Sequence, residues 1–255
     1  MTKSIRRRII FFVAIAFFFV ANETATAGPP FITDDPEPVE FHHWEFYFAS
    51  QSAHDAGGWA GTLPHFEVNY GAVKNLQLHI ILPLAYAFPS HSAHQYGFGD
   101  TEIGAKYRFI DETNDVPQIG SFPLIELPTG SESRGLGGGR VQTFLPLWIQ
   151  KSIGSWLTYG GIGYWLNPGT GNRNWTFVGW EIQNQIRDNI AVGVEVFHNS
   201  PQEEGANSET RFNIGAMIDF SETQHLLLSA GSALNNAGGV QAYLAYQLTL
   251  GSGNL

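Results

Sequence analysis

The sequence predicts an all-β protein, an antiparallel transmembrane β-barrel of about 12 strands with long external loops and short periplasmic turns. Apolar residues recur at every second position in many segments, which is the period of a strand and not of a helix. Turn-forming segments of alternating length separate these strands. The chain is also rich in aromatic residues (14%) and poor in charged ones (14%), whereas soluble domains carry about 25% charged residues.

The amino terminus has the features of an export signal. Lys3 and Arg6 to Arg8 precede the apolar run Ile9 to Val20, and Ala25-Thr26-Ala27 then forms a small-x-small cleavage pattern. The run is shorter than the roughly 20 residues of a membrane-spanning helix. Residues 1–27 are therefore predicted to be a cleaved signal peptide.

The rest of the chain divides into a lead, a barrel and a tail. Residues 28–40 are acidic and rich in proline, and we expect them to form a periplasmic lead segment. Two alternatives stay open for this segment, entry into the lumen as a plug and binding of a cation. Residues 41–250 are predicted to form the barrel, and residues 251–255 a C-terminal tail.

The alternation is clearest in Leu76 to Phe88, where the even positions are apolar or aromatic. It is equally clear in Thr101 to Phe109, where the even positions are Glu102, Gly104, Lys106 and Arg108. No helices are expected. In chain order, strands are predicted near residues 44–48, 66–70, 76–88, 101–109, 118–128, 140–150, 155–166, 178–183, 190–196, 211–219, 225–233 and 241–250.

The connections between these strands alternate between short and long. Short turns are predicted near 71–75, 151–155, 187–189 and 221–224, and longer loops near 52–61, 89–97, 129–139, 167–174 and 198–209. The run Gly135 to Gly139 reads as a flexible external loop. A soluble exported β-sandwich is the alternative, because alternation alone does not distinguish a protein core from lipid. Strand length and aromatic residues near strand ends favour the barrel.

Three segments resemble one family. Residues 28–40 followed by Trp44-Glu45, residues 99–109, and Glu126 to Gly130 are similar to recurrent segments of the MetA-pathway-of-phenol-degradation outer-membrane family, often labelled "transporter". The resemblance implies an outer-membrane barrel that acts as a solute channel. Only the family name suggests aromatic or other apolar solutes.

If the apolar positions face lipid, the residues between them line the lumen, because a basic residue on the lipid face costs up to about 2–4 kcal/mol at the midplane. An acidic lining favours cations or neutral polar solutes. In the alternative interpretation, Glu67, Glu102 and Glu126 pair with Lys106, Arg108 or Arg140 and close the lumen. The predicted lumen-lining charges are Glu45, Glu67, Asp100, Glu102, Lys106, Arg108, Glu126, Arg140, Glu181, Glu195, Arg211 and Asp219.

The same alternation places four large apolar side chains inward, where they would form a low-polarity track for apolar solutes. They are Phe122, Phe144, Trp148 and Phe197.

Several function classes find no support. The chain has no cysteine, which excludes disulfides and thiolate metal sites. It carries no nucleotide-binding or hydrolase motif, so we predict neither an enzyme nor a cofactor; a hydrolase assembled from separate strands is the alternative. The net charge of −10 argues against nucleic acid as a partner. His91 and His94 have the spacing of metal ligands, but no third ligand accompanies them, and no metal site is predicted.

The sequence therefore predicts passive uptake of small molecules through the outer membrane of a Gram-negative-type bacterium. The expected partners are outer-membrane lipid and a small-molecule solute, and the oligomeric state is left open. The alternative is a closed structural or surface-interaction barrel, in which external loops such as Pro201 to Glu209 contact partners.

Overall fold

The computed structural model describes residues 29–235 and 238–251, so the predicted signal peptide and most of the predicted tail lie outside the described residues. A three-residue 3-10 turn lies at Glu132–Arg134. No helix in the described ranges is long and apolar enough to cross a membrane. The strands are β1 (Trp44–Asp55), β2 (Gly58–Val73), β3 (Leu76–Pro89), β4 (Gln95–Phe98), β5 (Thr101–Ile110), β6 (Gln118–Ser121), β7 (Leu124–Leu127), β8 (Gln142–Ile153), β9 (Trp156–Leu166), β10 (Trp175–Arg187), β11 (Ile190–Asn199), β12 (Glu209–Ser221), β13 (Gln224–Ala233) and β14 (Val240–Leu250).

The sheet closes on itself. All pairings are antiparallel, and β1 pairs with β14 from Trp44 opposite Leu250 to His54 opposite Val240. Two barrel strands are each built from two segments, since β4 and β5 both pair with β3, while β6 and β7 both lie between β5 and β8. The result is a closed barrel of 12 antiparallel strands, which confirms the predicted fold class and excludes the sandwich.

One of the two interruptions has a local cause in the sequence. The strand predicted near 118–128 is broken at Phe122-Pro123, because proline has no N–H to donate to the sheet. The strand β4–β5 is interrupted at Gly99-Asp100, and its first part lies within the segment predicted as a loop near 89–97. That loop therefore spans only residues 90–94.

The long loop predicted near 52–61 is wrong, since β1 and β2 continue through it to a two-residue turn at 56–57. The Asp55 carboxylate accepts the N–H of Gly57 at 2.7 Å, and Gly58 has a φ of 129°, which side chains rarely allow. Elsewhere the predicted asymmetry of connections is present. Two-residue turns at 154–155, 188–189 and 222–223 lie at one end, and loops 128–141, 167–174 and 200–208 at the other.

The burial pattern is inverted relative to a soluble protein. On β3, Leu78 and Leu82 are 48% and 50% exposed, while Gln77 and His79 are 3% and 7% exposed. Other strands likewise expose apolar side chains and bury the residues between them, many of which are polar. An apolar outer face around a polar interior is the organisation of barrels that are embedded in a lipid membrane.

Candidate functional site

The lead segment lies inside the barrel. The Ser229 hydroxyl of β13 donates to the carbonyl of Pro30 at 2.6 Å, and the N–H of Val39 donates to Gln77 Oε1 of β3 at 2.9 Å. Thr33 and Asp35 between them are 0% exposed. A segment that touches these separate walls, with fully buried residues between the two contacts, must cross the lumen. The expectation of a periplasmic lead at 28–40 is thus corrected for the described part, which begins at Pro29.

Glu195 holds the start of this segment. Its carboxylate accepts the N–H groups of Ile32 at 2.9 Å and Thr33 at 2.7 Å, and the Asn213 side-chain amide at 2.6 Å. Glu195 is itself 0% exposed. Hydrogen bonds to an ionised acceptor are the strong ones, so this predicted lumen residue is an anchor for the lead.

The acidic residues of the lead meet the basic residues of β5. Lys106 Nζ lies 2.9 Å from Asp34 Oδ1 and 3.3 Å from Asp35 Oδ2, and Arg108 Nη1 lies 2.6 Å from Glu37 Oε1. Opposite charges across the lumen give the physical reason why the acidic lead enters it.

The acidic wall residues have other partners than the predicted ones. Glu102 lies 3.0 Å from His79 Nε2, and His79 Nδ1 lies 2.7 Å from the Asn69 side-chain oxygen. Glu67 accepts from the Asn69 amide at 2.9 Å, and Glu126 accepts from Gln142 at 2.9 Å. Among the described residues, none of these three carboxylates forms an ion pair with Lys106, Arg108 or Arg140, and the lead takes the first two of these cations.

Glycines make room for the lead on the facing wall. The Phe31 ring lies against Gly193 of β11 and Gly215 of β12, at 3.0 and 2.8 Å from where a Cβ would stand. Thr33 Oγ1 lies 2.3 Å from the Cβ position of Gly179 on β10. Sequence reasoning missed these positions. The sequence signal that could have found them is a glycine at a lumen-facing position of an otherwise regular strand.

A buried aromatic cluster lines another part of the lumen. Phe122, Phe144, Trp148, Phe177 and Phe197 pack together, each 6% exposed or less. Ring centroids of Phe144 and Trp148 are 6.2 Å apart, and those of Phe177 and Phe197 are 5.8 Å apart. All four residues predicted as an apolar track belong to this aromatic cluster.

Sequence reasoning missed three members or neighbours of the aromatic cluster. Phe177 is one, and Trp165 and Trp175 pack at its edge, with ring centroids 5.4 Å apart. Trp175 and Phe177 lie an even number of positions from Glu181 on β10, so the alternation that places Glu181 inward was the available signal.

Asp100 holds loop 128–141 by its backbone. Its carboxylate accepts the N–H of Gly130 at 2.8 Å and of Gly138 at 2.5 Å. Leu136 in this loop is 3% exposed and lies against Gly97 and Gly99. Within the run Gly135 to Gly139, expected to be a flexible external loop, Gly138 is held by Asp100 and Leu136 packs against β4.

The remaining predicted charges lie beside other polar groups. Tyr47 donates to Glu45 at 2.7 Å, and Arg140 donates to Asn167 at 2.8 Å. Arg211 pairs with Glu209 at 2.6 Å, and Asp219 with His225 at 2.6 Å. Glu181 is 0% exposed, and neither of its carboxylate oxygens has a hydrogen-bond partner among the described residues.

Open space remains next to the lead. A cavity of about 220 Å³ is lined by Ile32 together with Gln51, Asn213, Gln241 and Tyr243. In the described ranges, no group of three or more His, Asp or Glu side chains could hold a metal ion. Of the two histidines whose spacing is that of metal ligands, His94 packs its ring 4.7 Å from the ring of Phe88.

These features define a class, an outer-membrane-type β-barrel whose polar lumen is filled by its own N-terminal segment. No protein-family model and no curated protein matches the sequence. Among solved structures, the chain is similar to the COG4313 outer membrane channel from Pseudomonas putida F1, with a TM-score of 0.66 and 18% identity. That alignment covers 85% of this chain and 98% of the other.

Two porins share the same architecture. The KdgM porin in complex with disordered oligogalacturonate matches with a TM-score of 0.56 and 10% identity, over 80% of this chain and 98% of that one. The NanC porin matches with a TM-score of 0.56 and 6% identity, over 80% of this chain and 100% of that one. At such low sequence identities, the structural similarity to these three proteins establishes the fold alone.

Proposed function

We propose that the protein is an outer-membrane channel for the passive uptake of small molecules in a Gram-negative-type bacterium. The observation that carries the proposal is the content of the lumen. Residues 30–39 are not part of the sheet and are held by side-chain hydrogen bonds and ion pairs, which can be exchanged for contacts with water or solute. The protein would work without a cofactor and without catalysing a reaction.

Two further considerations support this class. Residues 28–40, 99–109 and 126–130 resemble the MetA-pathway-of-phenol-degradation family, and we propose membership of that family. The barrels with the highest TM-scores given above carry the names channel and porin. We assign lining roles to the charged residues of the inner wall on the same basis.

We further propose that aromatic or other apolar compounds are among the solutes. The aromatic cluster supports this, because it offers a low-polarity surface beside a charged lumen. Trp148 is 1% exposed, and its indole N–H has no hydrogen-bond partner among the described residues. It could donate to a polar substituent of a solute that reaches it.

A swelling assay tests the channel itself. Liposomes that contain the refolded mature protein should take up a pentose sugar faster than protein-free liposomes. The Asp34→Asn/Asp35→Asn/Glu37→Gln variant, in which the lead loses its carboxylates, should take it up faster still. Aromatic solutes are tested by block of the ionic current, where benzyl alcohol should block more strongly than an aliphatic alcohol of similar polarity.

The second candidate is a closed structural or surface-interaction barrel. One observation favours it, since the lead lies in the lumen and loop 128–141 is held to the wall residue Asp100. Uptake no faster than through protein-free liposomes, in the wild type and in the lead variant, would favour this second function if both proteins are folded. A heat-dependent shift of mobility on an SDS gel provides the folding control.

A further inference from the structure

The two cations that hold the lead form a site of their own. Lys106 and Arg108 stand two residues apart on β5 and point into the lumen; we call them the basic pair. Lys106 is 4% exposed, and among the described residues its ion pairs are with Asp34 and Asp35 of the lead. Arg108 pairs with Glu37 of the lead and with Asp111 of the adjoining turn at 2.9 Å.

Apolar surface lies directly beside the basic pair. Lys106 Nζ is 5.0 Å from the centroid of the Phe122 ring, which belongs to the aromatic cluster. On the next strand, Gly120 has no side chain, and the Pro36 ring fills the space, with its Cβ 2.9 Å from where a Gly120 Cβ would stand. The lead thus places its carboxylates against Lys106 and Arg108. Pro36, which stands between Asp35 and Glu37 in the chain, places its small ring against Gly120.

A buried ammonium group is stabilised by a nearby anion, and removal of that partner leaves an uncompensated charge. Water can replace the contacts of the lead, but an anion that takes its place on Lys106 and Arg108 compensates their charges more fully. Displacement of the lead is therefore coupled to the arrival of a negatively charged solute.

Building on the proposed channel function, we propose that the basic pair, Phe122 and Gly120 form a binding site for aromatic monocarboxylates. In the structure, Asp34 to Glu37 of the lead occupy this site as an intramolecular substitute. A carboxylate would meet Lys106 and Arg108, and its ring would lie on Phe122 in the space of Pro36. Such a solute would compete with the lead and release it.

Calorimetric titration of the refolded mature protein tests the site. Benzoate is the probe, benzamide is its neutral control of similar shape, and acetate is the control without a ring. In the Asp34→Asn/Asp35→Asn/Glu37→Gln variant, benzoate should bind at least tenfold more tightly than in the wild type, and at least tenfold more tightly than benzamide or acetate. Adding Lys106→Gln should remove the preference for benzoate over benzamide, whereas Lys106→Arg should keep it.

A second measurement keeps the lead intact. The chain has no cysteine, so a Thr33→Cys variant can be labelled at one position only. Benzoate should increase the rate at which a thiol reagent reaches this position, and benzamide should not. This test remains available if the carboxylate-free lead or the Lys106 variants fail to fold.

Equal affinity of the lead variant for benzoate and benzamide would overturn the proposal, as would equal labelling of Thr33→Cys with either compound. Failure here is distinguishable from failure of the channel function. A barrel that swells with pentose but does not prefer benzoate is a channel with another specificity, whereas a barrel that does not swell at all contradicts the channel itself.

Discussion

Glu195 illustrates how one side chain sets the state of the lumen. It accepts two backbone N–H groups of the lead and the amide of Asn213, with donor–acceptor distances of 2.6 to 2.9 Å. A glutamine at this position offers only one oxygen and turns an N–H donor towards the lead. At least one charge-assisted hydrogen bond, about 1.5–3 kcal/mol, is therefore lost.

We accordingly expect Glu195→Gln to raise the ratio of open to closed channels about tenfold or more, since 1.4 kcal/mol corresponds to a factor of ten. Single-channel recording in planar bilayers measures this ratio. Glu222→Gln, in the exposed turn between β12 and β13, is the matched control. Equal open fractions in the two variants would show that Glu195 does not hold the lead.

At the residue level, alternation is the pattern from which the sequence predicts the side chains that face inward. It placed Glu195, Lys106 and the four aromatic track residues on the inner wall. It did not give the partners, because the contact between Thr33 and Glu195 joins residues 162 positions apart. Local pattern carries no information about which charges meet across a lumen.

The position of the lead depends on glycines in the wall that it faces. In Gly179→Ala, the new methyl group would stand 2.3 Å from Thr33 Oγ1 and 2.7 Å from the Phe177 ring. We expect the lead to shift and the open fraction to rise severalfold. Single-channel recording of the double variant Gly179→Ala/Thr33→Ala provides the control, because removal of Oγ1 should restore part of the closed state. No recovery in the double variant would assign the effect to Phe177 instead.

Loop 128–141 is held at Asp100 by two backbone N–H groups. Asp100→Asn removes one of these acceptors, and we expect the loop to open more often. The measurement is labelling of Leu136→Cys, a position that is 3% exposed, which should react several times faster in the Asp100→Asn background. Ser133→Cys, on the exposed side of the same loop, should react equally in both backgrounds. Unchanged labelling of Leu136→Cys would mean that Asp100 does not hold the loop.

At the level of elements, the sequence predicted strands well and their ends less well. The segment 52–61 contains several small and polar residues, which are common in loops, yet cross-strand pairing extends both strands to the turn at 56–57. The fold of the loop around Asp100 was not predictable, because a glycine-rich run is compatible with many conformations until a carboxylate fixes its N–H groups.

Across the whole molecule, the wall charges that the lead does not neutralise are mainly acidic. Glu67 and Glu102 lie on β2 and β5 around His79. If the lining governs permeation, Glu67→Gln/Glu102→Gln should lower the cation-to-anion permeability ratio by a factor of about two or more. The reversal potential across a salt gradient measures this ratio. An unchanged reversal potential would remove both carboxylates from the selectivity mechanism.

The presence of the lead in the lumen is the least predictable feature of the molecule. The acidic, proline-rich composition of residues 28–40 is compatible with an extended periplasmic segment and with a plug alike. Only the combination of basic residues on β5, an acceptor on β11 and glycines on β10 to β12 selects the plug. These elements come together only in the closed barrel.

A reversible lock between lead and wall tests the central claim most directly. Because Thr33 Oγ1 lies 2.3 Å from the Cβ position of Gly179, the double variant Thr33→Cys/Gly179→Cys can place two sulfurs at bonding distance. We predict that the oxidised protein is silent in planar bilayers and that a reductant restores stepwise currents in the same membrane. Currents that are the same before and after reduction, although the disulfide has formed and been cleaved, would contradict a channel closed by its own lead.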